Sequence, residues 1–168
     1  MQRIFLVGYM GSGKTTMGKL LAQQLGLSFL DLDAYIESKF HRTIAQIFEQ
    51  EGEVGFRLIE KKYLHEVADF EDIVIATGGG APCFFDNMTY MNEHGITVYL
   101  KMSVDQLVAR LSISKAGVRP LISNKKTTEL RQFVAEGLSN REGFYSCAKH
   151  IISGNDDEII QQIKDFKP

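Results

Sequence analysis

Short apolar runs rich in β-branched residues alternate along the chain with longer segments of helical spacing. The runs are 4–7, 73–76 and 96–100, with weaker ones at 28–32 and 150–153. Apolar residues recur at helical intervals in the segments 15–25, 44–48, 104–111, 130–138 and 156–166. Strands that alternate with helices predict a parallel sheet covered by helices on both faces. Ligands bind such sheets beyond the carboxyl ends of the strands, so functional residues are expected directly after each run.

The length of the chain predicts one compact domain, residues 1–168. The net charge of -2 provides no basic surface for a nucleic acid, so an anionic ligand must be held by a few well-placed cations. No apolar run has the length of a membrane span, and Gly8 interrupts the first run before it reaches the length of a secretion signal. Cys83 and Cys147 are expected to be reduced thiols in a cytoplasmic protein. The absence of a heptad pattern favours a monomer.

Residues 8–15 match the phosphate-binding pattern GxxxxGK[ST] at every defined position. This P-loop follows a predicted strand and begins a predicted helix, which is the context that the motif requires. Glycines let the backbone wrap around phosphate oxygens, and the helix N-terminus adds a partial positive charge. Lys14 is expected to reach the β- and γ-phosphates, and the Thr15 hydroxyl to ligate Mg²⁺. The alternative is a glycine-rich turn from strand to helix with no ligand.

Two carboxylates, Asp31 and Asp33, end the second run. Alternation along a strand places both on the same side. Asp31 is then the water-mediated partner of Mg²⁺, and Asp33 lies farther out, where it can orient or deprotonate an acceptor hydroxyl. The alternative for Asp33 is a helix N-cap, since a helical pattern starts at Ala34. No NKxD-type segment for reading guanine follows a late strand, so the pattern favours a kinase over a GTPase.

These segments belong to an ordered set. GxxGxGKT is followed by DxD at 31–33, FR at 56–57, GGG at 78–80, RPL at 119–121 and RxxxY at 141–145. In this order they resemble the shikimate kinase family from residue 3 to about residue 152. The resemblance implies a three-layer α/β/α P-loop NTPase fold with a five-stranded parallel sheet in the order 2-3-1-4-5. It also implies ATP- and Mg²⁺-dependent phosphorylation of the 3-hydroxyl of shikimate, which gives shikimate 3-phosphate and ADP on the route to aromatic amino acids.

The resemblance implies an acceptor site assembled from distant segments. Asp33 matches the acidic residue that contacts the acceptor hydroxyl, and Arg57 and Arg141 match the two arginines that bind the substrate carboxylate. The paired N–H groups of a guanidinium suit the planar geometry of a carboxylate. Gly79, with Gly80 beside it, matches the backbone segment that lines the pocket. The proline that is common inside RxxxY is absent here, which affects the surroundings of Arg141 more than Arg141 itself.

On the ATP side, the resemblance implies contacts from the P-loop, from the residue after it and from two arginines. The first group consists of Gly11, Ser12, Gly13, Lys14, Thr15 and Thr16. The irregular polar stretch 112–126 matches the family's lid, in which Arg119 is expected to stabilise charge on the transferring group. Arg110 loosely matches an arginine that packs on the adenine ring. The chain is slightly longer than the family pattern between Arg110 and Arg119.

Three other interpretations remain open. Without the resemblance, Arg57 is better explained as a surface charge paired with Glu60, three residues farther along a helix. A related kinase for gluconate or a nucleotide would keep the same P-loop with a different acceptor. A regulatory module would bind ATP without transferring phosphate, although the intact Lys14 argues against it. Phe84 and Phe85, which follow the glycines, have no role in any of these interpretations.

Overall fold

In a computed structural model, which describes residues 2–113 and 127–166, five strands form one sheet. The strands are β1 Arg3–Val7, β2 Ser28–Asp31, β3 Ile73–Ala76, β4 Ile96–Leu100 and β5 His150–Ile152. Their order across the sheet is β2-β3-β1-β4-β5, and every neighbouring pair is parallel. The predicted strand order and direction are therefore confirmed.

Helices cover both faces of this sheet. Those in the described residues are α1 Lys14–Leu25, α2 Leu32–Phe40, α3 Ile44–Val67, α4 Asn87–His94, α5 Val104–Ile113, α6 Thr127–Tyr145 and α7 Asp156–Lys164. Ile4 and Leu6 of β1 pack with α1 and α7, whereas Phe5 and Val7 pack into a larger core with α2 to α6. This alternation along one strand gives the three layers that the sequence predicts.

Local sequence signals explain where α3 begins and where it is interrupted. The Thr43 hydroxyl accepts a hydrogen bond from the Gln46 backbone, and the Gln46 side chain accepts one from the Thr43 backbone. This reciprocal capping box satisfies two donors at the start of the helix. Gly52 then adopts a φ of 68°, which breaks the helical backbone at a residue that tolerates this conformation. The segment that carries Arg57 follows the break.

The boundaries of several predicted elements differ in the structure. The second strand ends at Asp31 instead of residue 32, because the Asp31 side chain accepts a hydrogen bond from Ala34 N and starts α2 at Leu32. The fifth ends at 152 instead of 153. The sequence patterns did not reveal α4, in which most residues are polar.

The predicted lid falls largely on residues that the structure does not describe. Its first two residues, 112 and 113, are the last residues of α5. Residues 114–126, with Arg119 among them, lie outside the described residues. Among the described helices, none combines the length and the apolar character needed to span a membrane.

Candidate active site

The P-loop connects β1 to α1 through backbone conformations that favour glycine. Gly8, Gly11 and Gly13 have φ angles of 150°, 84° and 85°. A Cβ atom on Gly8 would also lie 2.9 Å from Ser12 Oγ and 3.0 Å from the Leu100 carbonyl oxygen. Both the backbone angles and the close packing therefore require glycine, and the result is the tight turn that a phosphate cradle needs.

Lys14, the first residue of α1, folds back over this loop. Its side chain is buried, with 9% of the residue exposed. The ammonium donates hydrogen bonds to the carbonyl oxygens of Gly8 at 2.7 Å and Tyr9 at 3.0 Å. The positive charge is thus held in the concave side of the loop, next to the N-terminus of α1, where an anion is favoured.

Thr15 and Asp31 bring two oxygen ligands together beside the P-loop. Thr15 Oγ1 donates a hydrogen bond of 2.6 Å to Asp31 Oδ2. Asp31 Oδ1 accepts from Ala34 N at 3.1 Å, so Asp31 is the N-cap of α2. Hydroxyl and carboxylate oxygens are ligands that suit Mg²⁺. The structure therefore assigns to Asp31 the capping role that the sequence had left open for Asp33.

Asp33 lies in the first turn of α2 and not at the end of a strand. It nevertheless faces the P-loop, since Lys14, Thr15, Asp31, Asp33, Gly78 and Gly79 are among the residues that line one cavity of about 220 Å³, the central cavity. Burial raises the pKa of Asp33 to about 6, and the neighbouring Asp31 carboxylate acts in the same direction. The ammonium of Lys14 partly opposes this rise in pKa. A carboxylate with a pKa close to neutrality can exchange a proton with a bound hydroxyl.

Arg57 and Glu60 form an ion pair inside the protein. Arg57 is 8% exposed and Glu60 is 1% exposed. Arg57 Nη1 donates to Glu60 Oε1 at 2.8 Å. Burial raises the pKa of Glu60 to about 7, and the Arg57 guanidinium opposes that rise. The pairing predicted from helical spacing is therefore present, but its explanation as a surface charge pair is wrong.

The glycines after β3 lie against the two predicted carboxylate-binding arginines. A Cβ atom on Gly80 would lie 2.5 Å from Arg57 Nη2, and one on Gly79 would lie 3.6 Å from Arg141 Nη1. Tyr145 Oη donates to the Gly79 carbonyl oxygen at 2.6 Å and connects α6 to this turn. Two guanidinium groups from α3 and α6 thus lie against consecutive residues of one turn.

Arg110 lies on the predicted ATP side of the site, next to the P-loop. Its Nη1 atom donates to the Gly11 carbonyl oxygen at 3.3 Å. Together with Met102, Gln106 and residues 154–157 it lines a second cavity of about 630 Å³, the side cavity. The guanidinium is therefore placed between the P-loop and a space large enough for the base and ribose of a nucleotide.

Some contacts of the site were not foreseen from the sequence. The ring of Phe84 lies over the Arg57 guanidinium, with its centroid 4.1 Å from Cζ. Tyr9 packs near Arg141, whose Cζ atom is 5.8 Å from the centre of the ring. Tyr145 is part of the RxxxY motif, but only the structure shows its partner. Periodicity carries no signal for such contacts, because each joins segments that are far apart in the chain.

Two of the histidines belong to an aromatic stack. His65, Tyr90 and His94 stack on one another, with neighbouring ring centroids 3.7 and 3.8 Å apart. In the described part of the chain, no group of three His, Cys, Asp or Glu residues could hold a metal ion.

The family model for shikimate kinase matches residues 10–166 of this chain. The chain is 52% identical to a shikimate kinase of Phocaeicola vulgatus over 164 residues, which covers 98% of this chain and 93% of that protein. It is 57% identical to a shikimate kinase of Parabacteroides distasonis over 148 residues, which covers 88% of this chain and 85% of that one.

Solved structures give the same result. A shikimate kinase of Bacteroides thetaiotaomicron superposes with a TM-score of 0.92 at 46% identity, covering 98% of this chain and 97% of the other. A shikimate kinase of Acinetobacter baumannii, solved in complex with shikimate, superposes with a TM-score of 0.87 at 38% identity. That alignment covers 98% of this chain and 91% of the other.

Proposed function

This chain belongs to the shikimate kinase family, and we propose that its site transfers the γ-phosphoryl group of ATP to the 3-hydroxyl of shikimate. The products are shikimate 3-phosphate and ADP. One observation carries the proposal: the P-loop and Asp33 line the same central cavity. A phosphoryl donor and an acceptor hydroxyl bound there would face each other, and such positioning is a large part of catalysis in phosphoryl transfer.

On the donor side, backbone N–H groups of Gly11, Ser12 and Gly13 and the start of α1 are proposed to hold the phosphates, with Thr16 beside them. Lys14 leaves the carbonyl oxygens of the loop and donates to the β- and γ-phosphates, which stabilises the charge that develops during transfer. The Thr15 hydroxyl and the Asp31 carboxylate, 2.6 Å apart, fit a hard divalent cation, with Asp31 acting through water. When bound, Mg²⁺ would neutralise phosphate charge.

On the acceptor side, we propose that Asp33 accepts the hydrogen bond of the reacting hydroxyl. With a pKa of about 6, Asp33 is still mostly ionised at pH 7. Because this pKa is higher than that of an ordinary carboxyl group, Asp33 is also basic enough to take a proton as the oxygen attacks. The Asp33 side chain lies close to Gly78, where a Cβ atom would be only 2.9 Å from Oδ1. A side chain larger than hydrogen at position 78 would therefore displace the carboxylate.

The acid group of shikimate is proposed to bind Arg57 and Arg141, with Gly79 and Gly80 lining the contact. Arg57 Nη1 is bonded to Glu60. The buried Arg57 Nε has no hydrogen-bond partner among the described residues, although the Glu53 carboxylate lies 4.0 Å from it. A buried donor without a partner is costly, and a carboxylate would supply the missing acceptor. The two guanidinium groups therefore favour an anionic acceptor over a neutral one in this position.

Two further arginines are proposed to act on ATP. Arg110, at the rim of the side cavity, would contact the adenine ring. Arg119 is proposed from the RPL motif alone to stabilise the transferring group from the lid at about residues 112–126. The enzyme is proposed to work as a single-domain monomer in the cytoplasm, where the two free cysteines would remain reduced. Neither a nucleic acid nor a membrane is proposed as a partner.

A coupled assay of ADP release tests the proposal with shikimate, gluconate and nucleoside monophosphates as acceptors. Turnover is expected with shikimate in the presence of Mg²⁺. Turnover with another acceptor and none with shikimate would overturn the assignment in favour of a related kinase. Binding of ATP and shikimate without turnover would instead support a regulatory module.

Arg57→Ala tests the acid site in the same assay. The variant is expected to raise the KM for shikimate about 100-fold, because it removes a charged hydrogen bond worth about 3 kcal/mol, and to change the KM for ATP little. Arg131→Ala is the matched control, since Arg131 is an exposed arginine paired with Asp105. Equal losses for both ligands in Arg57→Ala would contradict the role assigned to Arg57.

A further inference from the structure

Phe84 follows the short 3₁₀ turn Ala81–Cys83 that comes after the glycines. We propose that Phe84 is a positioning residue for substrate binding: its ring covers the Arg57 guanidinium and holds it in the plane in which it meets the carboxylate of the acceptor. This inference rests on the proposed function and deepens it. It assigns a role to a residue that the ordered sequence motifs leave unexplained.

Three aromatic rings surround the Arg57 guanidinium, and Phe84 provides the nearest one. The Arg57 Cζ atom is 4.1 Å from the ring centroid of Phe84, 5.2 Å from that of Phe56 and 5.7 Å from that of Phe48. A cation over an aromatic ring is attracted by the ring's negative face, and the attraction grows when water is excluded. The Phe84 contact is therefore the strongest of the three by distance, and the burial of the guanidinium strengthens it.

Contacts within the protein already occupy part of the Arg57 guanidinium, so only the remaining part can bind a ligand. Nη1 is bonded to Glu60, and a Cβ atom on Gly80 would approach Nη2 to 2.5 Å, so the backbone of Gly80 packs directly against the group. Phe84 lies over the guanidinium. The buried Nε makes no hydrogen bond within the described residues, although Glu53 Oε1 lies 4.0 Å from it. A planar carboxylate forms its best paired hydrogen bonds in the guanidinium plane. Phe84 therefore fixes the approach that gives these bonds.

The backbone around Phe84 is built to turn its ring inward and that of Phe85 outward. Phe84 is extended, with φ −118° and ψ 145°, whereas Phe85 has a positive φ of 53°. Phe85 is 54% exposed and its ring lies near Lys61. The buried Asn87 holds this turn through two hydrogen bonds. Its side-chain amide donates to the Ala81 carbonyl oxygen at 2.9 Å, and its backbone N–H donates to the Phe84 carbonyl oxygen at 3.3 Å.

Steady-state kinetics of Phe84→Leu and Phe84→Tyr test the proposal, with Phe85→Leu as the matched control. Leu keeps apolar volume but removes the ring, whereas Tyr keeps the ring. Phe84→Leu is expected to raise the KM for shikimate about 30-fold, the value of one desolvated cation–π contact. Its kcat and its KM for ATP should change less than about twofold. Phe84→Tyr and Phe85→Leu should each keep the KM for shikimate within about twofold of the parent enzyme.

Salt dependence provides a second readout that a purely structural role would not move. A guanidinium exposed to water is screened more strongly, so the KM of Phe84→Leu for shikimate should rise more steeply with KCl than that of the parent enzyme. If Phe84→Leu does not fold, Phe84→Met takes its place with the same expected loss. A parent-like KM in the ring-less variant, or an equal loss in Phe85→Leu, would overturn the proposal. Failure of the proposed function itself would appear separately, as no turnover of shikimate by the parent enzyme.

Discussion

Replacement of the carboxylate that faces the acceptor should inactivate the enzyme and at the same time stabilise its fold at alkaline pH. Asp33→Asn keeps the shape of the side chain and removes its charge. Without that charge the acceptor hydroxyl is neither oriented nor deprotonated, so kcat should fall by about 10²- to 10⁴-fold. The fold gains because the ionised carboxylate is held in a half-buried position beside the Asp31 carboxylate.

The size of the gain follows from the pKa of Asp33. That pKa is raised from 3.8 to about 6 in the folded protein, chiefly by burial. Between these values the folded protein holds a proton that the unfolded chain has released, so stability falls as the pH rises through this window. The difference between the two pKa values corresponds to a loss of about 3 kcal/mol in the free energy of unfolding at high pH. Contact of the side chain with solvent reduces it, and we expect a gain of about 1–3 kcal/mol for Asp33→Asn.

Urea unfolding followed by circular dichroism measures this gain, with EDTA present and no ligands. The variant should exceed the parent in unfolding free energy at about pH 8 and lose most of that advantage at about pH 4.5, where Asp33 is protonated in the folded parent. Asp69→Asn, at an exposed position, is the control and should change stability by less than about 0.5 kcal/mol. A variant that is no more stable than the parent at pH 8 would refute the reasoning. So would a gain of the same size at both pH values.

The remaining predictions concern the ATP side. Arg110→Ala should raise the KM for ATP by about tenfold and leave the KM for shikimate unchanged, because Arg110 lies between the P-loop and the side cavity; an effect on shikimate alone would contradict this placement. Arg119→Ala should lower kcat by about 10³-fold with little change in either KM, in keeping with an arginine that acts on the transition state. Turnover should stop in EDTA and return with Mg²⁺, whereas recovery without any divalent cation would exclude the Thr15–Asp31 site as a metal site.

Local patterns of apolar residues were enough to predict most of the fold. Each strand was recognisable as a short run of apolar residues, and most helices by a helical period of apolar residues. Residues 4–7 of β1 form such an unbroken run because both faces of the strand are buried. The end of β2 was misplaced because a single side-chain hydrogen bond, from Ala34 N to Asp31, decides it. α4 was missed because only a few of its residues are buried, which leaves little period to detect.

The P-loop could be identified from the sequence alone, because its glycines, Lys14 and the flanking elements are contiguous and each requirement is local. The acceptor site could not be identified in this way. Spacing alone favoured a surface charge for Arg57, and only its burial with Glu60 and the approach of Gly80 show it as part of a site. The contact of the Phe84 ring with the Arg57 guanidinium depends on how the turn after β3 packs against α3. Contacts between segments so far apart are decided by packing, which has no signature in the order of residues along the chain.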